Sequence, residues 1–96
     1  MIVISIKRDA GVFAENKDVA RDLRVKIVLP ALETNEAVIL DFTGVDDATQ
    51  SFIHALISES FRKYGENVLE KIKFRNCNKT IQKVITIVTE YMQEAE

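Results

Sequence analysis

Ala37-Val38-Ile39-Leu40, running into Asp41, is the stretch that decides the fold. It is short, unbroken in its apolarity, and bounded by the polar turn Glu33-Thr34-Asn35-Glu36 on one side and a carboxylate on the other. A run of this length reads as a strand rather than a helix. Continuous rather than alternating apolarity predicts a central strand buried on both faces, as in a parallel sheet. Parallel neighbours need crossover connections, so helices are expected before and after it.

Both flanks supply them. Upstream, a helix starts near Asn16 or Asp18, with Val19, Leu23 and Ile27 at i, i+4 and i+8 and Val28 widening the stripe. Pro30 is expected to end or kink it within its last turn. Before that helix, Ile2-Val3-Ile4-Ser5-Ile6 is a short β-branched strand, and Gly11-Val12-Phe13-Ala14 is a weaker one after a turn. Downstream, Thr43-Gly44-Val45-Asp46-Asp47-Ala48-Thr49 is loop-like. A helix follows from about Gln50 to Tyr64, striped by Ile53, Leu56, Ile57, Phe61 and Tyr64 and stopped by Gly65. Lys71-Ile72-Lys73-Phe74-Arg75 alternates, which suits a strand nearer the sheet edge. The last helix runs from about Asn78 to Met92, with Ile81, Val84, Ile85, Val88 and Met92 on one face. The expectation is an α/β fold over residues 1–96 as one domain: a mainly parallel four-stranded sheet with crossover helices packed on it.

Composition narrows the function classes. One cysteine, Cys77, excludes an internal disulfide framework and a Cys-rich zinc site. A net charge of -2 with both signs mixed along the chain argues against a nucleic-acid footprint. No apolar run approaches the roughly 20 residues that span a bilayer. Met1 leads straight into a strand, so no leader is expected and a cytoplasmic protein without cofactor is the default.

Parallel sheets carry their functional loops at the carboxyl ends of the strands, which points to the stretch from Asp41 to Ser51. A hydroxyl at the start of the following helix, Thr49 or Ser51, lies beside unpaired N–H groups and the positive end of the helix dipole. It can serve as an ordinary N-cap, and a phosphate there would be stabilised. His54, the sole histidine, shares a helical face with Ser51, but a Ser–His nucleophile also needs an orienting acid and an oxyanion site. Asp41, Asp46 and Asp47 form an acidic cluster that could hold Mg²⁺, as in a small phosphotransfer enzyme or a receiver-like protein. A receiver also needs an acidic pair after its first strand, where Lys7-Arg8-Asp9 is mostly basic. Gly44 reads as a turn residue, and Cys77 lacks an activating base. Arg21, Arg24 and Lys26 read as a solvated face.

Val38-Ile39-Leu40-Asp41-Phe42-Thr43-Gly44-Val45 followed by Thr49-Gln50-Ser51-Phe52 resembles the STAS-like domain family of unknown function, itself similar to the STAS domains of bacterial anti-sigma factor antagonists. The order of elements fits that pattern as well. The resemblance implies a bacterial signal-transduction setting and a protein partner: a histidine-kinase-like ATPase, which phosphorylates a Ser or Thr at this helix start, or a transcriptional regulator. The antagonists carry an Asp, a Ser, another small hydroxyl residue and a Gly there. Aligned from Asp41, this chain instead carries Thr49, Gln50, Ser51 and Phe52, so Ser51 is the nearest acceptor and Thr49 the second. The leading expectation is therefore a regulatory interaction module rather than an enzyme. Its partner-binding loop would comprise Asp41, Thr43, Gly44, Asp46, Asp47, Gln50 and His54. The Mg²⁺-dependent reading and a homodimerising domain, paired through its first strand or last helix, are the alternatives.

Overall fold

The computed structural model describes residues 1–94. Strand β1 (Ile2–Ser5) leads into a short helix α1 (Ile6–Ala10), and β2 (Phe13–Ala14) follows. Helix α2 (Lys17–Leu23) continues through a π-helical segment (Arg24–Val28) into α3 (Leu29–Glu33). Next come β3 (Val38–Asp41), β4 (Asp47–Ala48) and α4 (Gln50–Tyr64). A 3₁₀ segment (Glu66–Glu70), β5 (Ile72–Arg75) and α5 (Lys79–Glu94) complete the order.

The expected four-stranded sheet is corrected to two smaller ones. β1, β3 and β5 form a parallel sheet in that order, and β2 pairs with β4 separately, also in parallel. The first strand stops at Ser5, whose Oγ accepts from Arg8 N and caps α1, so Ile6 is the first helical residue rather than the last extended one. Gly11 then turns the chain at φ 82°, and Phe13–Ala14 pair with Asp47–Ala48 instead of joining the main sheet. A two-residue ladder inside the segment read as loop has no periodic signature to announce it.

Pro30 does not end its helix. The wider turn before it, with Leu29 N bonded to Arg24 O, replaces the α-helical register in which a proline ring meets the carbonyl four residues back. The extra residue also rotates the buried stripe. Ala20 and Leu23 face the core, then Val28, Ala31 and Leu32, leaving Ile27 half-buried. The rod ends at Thr34, with Asn35 left-handed at φ 62° and Glu36 N and Asn35 N returning to Ala31 O and Leu32 O. That is a Schellman closure with Asn in the place usually taken by Gly.

Each step from β1 to β3 to β5 moves in the same direction, so right-handed crossovers put every connecting helix on one face. Ile4, Val38, Leu40 and Ile72 point into that covered face and are buried. They meet Phe52, Ile53, Leu56 and Ile57 of α4 and Ile81 of α5 in one core. Among the described residues no layer covers the opposite face: Val3 is 56% exposed, Lys73 is exposed and Ile39 is half-buried. The expected burial of the central strand on both faces is therefore corrected to one. The position of β5 at an edge agrees with its alternating pattern.

Candidate functional site

The stretch after β3 is held at every turn. Asp41 Oδ1 accepts from Thr43 N at 3.0 Å, Thr43 Oγ1 at 2.7 Å and Asn76 Nδ2 at 3.0 Å. These bonds, that from Asn76 first, hold the Asp41 carboxyl below the ordinary aspartate range. Gly44 sits at φ 78° with the Lys7 side chain laid across it; an added Cβ would come within 2.8 Å of Lys7 Cδ. Asn76 is left-handed at φ 59°, which aims its amide at Asp41. Asn78 Nδ2 donates to Asp46 O at 2.8 Å while its Oδ1 caps the start of α5 by accepting from Ile81 N at 2.8 Å. Asp46 N donates to Val12 O at 2.8 Å and Thr49 N to Ala14 O at 3.0 Å. Asp47 Oδ1 takes the next residue's N–H, from Ala48, at 2.8 Å.

The three aspartates are thus separated by role. Asp41 pins the loop to the residues after β5, Asp47 bonds only the adjacent Ala48 N–H within β4, and the Asp46 side chain faces solvent. Among the described residues, no three His, Cys, Asp or Glu side chains gather to hold a metal ion. The Asp41/Asp46/Asp47 cluster read from sequence is adjacent along the chain only.

The start of α4 separates the two hydroxyls. Thr49 is extended and its Oγ1 accepts from Phe52 N at 3.1 Å, so Thr49 is the N-cap. Ser51, in the first turn, is exposed and its hydroxyl serves no cap. It opens into a groove of about 410 Å³ between α4 and α5. Lys17, Gln50, Ser51 and His54 line its polar side, and Ala55, Ile87, Val88 and Tyr91 its apolar side. Among the described residues no hydrogen bond joins Ser51 to His54. Ile87 is 48% and Tyr91 64% exposed on the side of α5 away from its buried stripe.

Of the groove-lining residues, sequence reasoning named Gln50, Ser51 and His54 and did not name Lys17, Ile87 or Tyr91; it gave Asn76 and Asn78 no part in the loop. Lys17 reaches the groove from α2 and has no local mark. Ile87 and Tyr91 lie four apart, so a second apolar stripe on the last helix was open to view. Cys77 is half-buried, its thiol pushed up by burial and then by the Asp41 charge, which makes it a poor nucleophile.

Among the described residues no helix is long and apolar enough to cross a membrane. A family model described as a STAS-like domain of unknown function matches residues 19–82. No curated protein and no solved structure matches the chain significantly.

Proposed function

The chain belongs to the STAS-like domain family of unknown function, and on that premise we propose that it is a regulatory protein-interaction module docking through the amino end of α4 and the facing side of α5. The observation that carries this reading is the groove itself. Exposed Ile87 and Tyr91 supply contact area, and Ser51, His54 and Lys17 supply exposed polar groups. Aromatic residues beside a few convergent polar groups are what a partner's anchor side chains need. The partner class is a histidine-kinase-like ATPase or a transcriptional regulator. Ser51 is the residue whose phosphorylation would switch binding, because it is exposed while the Thr49 hydroxyl holds the cap. A phosphate there adds a charge of about -2 beside the α4 amino end, so the helix tolerates it while the docking surface changes sign.

The test is a pull-down from an extract of the source organism, with bound proteins identified by mass spectrometry. Wild-type protein is expected to retain an ATPase or regulator of that class. Ser51→Asp and the double variant Ile87→Asp/Tyr91→Asp are expected to lose it. Recovery of the same partners in equal yield by all three proteins would remove the groove as the docking surface.

A further inference from the structure

A parallel sheet is almost always covered on both faces, and here one face is bare. The pairing register aligns the bare side in two rows: Val3, Ile39 and Lys73, then Ser5, Asp41 and Arg75. Val3 and Ile39 give it an apolar centre on β1 and β3, and Lys73 and Arg75 give it a basic rim on the edge strand β5. Phe74, between those cations, turns the other way to stack near Phe42, which fixes the direction of both.

We propose that this uncovered face is a docking surface for a single acidic amphipathic helix of a partner protein. Size and charge select that occupant. Three strands about 4.8 Å apart make a strip about 10 Å wide, and four residues at about 3.3 Å each make it about 13 Å long. An α-helix with its side chains is about 10–12 Å across, so one helix fills the strip and a second layer of several would overhang it. Helices are also what cover parallel sheets from within a chain. Among the described residues neither Lys73 nor Arg75 makes an ion pair. Asp41 shares a row with Arg75 but spends its carboxylate on Thr43 and Asn76. The rim therefore offers two unneutralised cations beside an apolar centre, the complement of a helix with a leucine stripe flanked by glutamates. The surface lies on the side of the sheet away from α4 and α5, so it does not depend on the groove reading and the two can fail separately.

The probe is a leucine-striped, glutamate-flanked peptide of about 15 residues, long enough to hold helix. It is titrated into isotope-labelled full chain and followed by NMR. A control peptide carries lysine at each glutamate, and a second control is vesicles containing anionic phospholipid. Backbone shifts at Val3, Ile39, Lys73 and Arg75 are expected with the acidic peptide alone. Lys73→Glu/Arg75→Glu, both exposed positions, should weaken its affinity about tenfold and admit the lysine peptide. Four results of the titrations overturn the proposal, and a fifth comes from the protein alone. These are no shift, equal shifts with both peptides, shifts confined to Ser51 and Tyr91, or shifts with the vesicles only, which would make the face a membrane contact. Concentration-dependent shifts there without any peptide would assign the face to a second copy and overturn it as well.

Discussion

The segment from Asp41 to Ala48 and the groove beginning at Gln50 are neighbours in sequence and opposites in construction. In the first, side-chain oxygens and amides bind backbone: Asp41 to Thr43, Asp47 to Ala48, Asn78 to Asp46, with Val12 O accepting from the Asp46 amide. In the second, Ser51 and His54 stand exposed beside Ile87 and Tyr91. The two stretches are alike in polar composition. What separates them is whether the polar atoms are already satisfied. Groups bound within the fold stabilise it, and on the proposed reading the exposed groups of the groove are the ones a partner uses.

That contrast breaks most directly at Asn78. Its amide ties the loop and its oxygen caps α5, so Asn78→Ala removes a cap and a backbone tie together. A loss of about 2 kcal/mol is expected in urea unfolding. A loss within experimental error would mean the loop is not held from α5. At Thr49 the effect should be smaller, about 1 kcal/mol for Thr49→Ala, with Thr49→Ser close to wild type. Equal losses in both would point to the methyl group rather than the cap.

Asp41 tests the same idea through pH. Its folded pKa lies below its unfolded one, so the unfolded chain takes up the proton first. The stabilisation is full above about pH 4 and is lost as pH falls through the lower folded value. Wild type and Asp41→Asn should therefore differ most at neutral pH and converge in thermal melts as the pH drops below about 4. A gap that persists unchanged down to about pH 2 would mean that charge at Asp41 is not what holds the turn.

The smallest effects on stability are expected in the groove. Ser51→Ala and Ser51→Asp should each change unfolding free energy by no more than about 0.5 kcal/mol, while Ser51→Asp alters partner affinity more than Ser51→Ala does. If Ser51→Asp unfolds the domain, Ser51 belongs with the satisfied loop groups and the comparison collapses.

Much of this is legible in the sequence. The stripes on α4 and α5, the stop at Gly65, the strand running into Asp41 and the edge character of β5 all follow from local periodicity. So did the hydroxyl at the α4 start, although Thr49 and Ser51 could be told apart only by which oxygen meets Phe52 N. These features are set by neighbours within a turn or two, where spacing and capping chemistry act directly.

Tertiary structure decided what depends on distant partners. β2 pairs with β4 because Gly11 turns Phe13 toward Asp47, more than thirty residues on, and a two-residue ladder carries no period of its own. Val28 rather than Ile27 enters the core because one wide turn before Pro30 shifts the helix register. The groove joins Lys17, Ser51 and Tyr91 from three helices. The bare face follows from strand order, since right-handed crossovers stepping one way leave their helices on one side. Sequence determines the elements through short-range sterics and hydrogen bonding. The surfaces between and beside them are fixed by long-range pairing and handedness, which no local window contains.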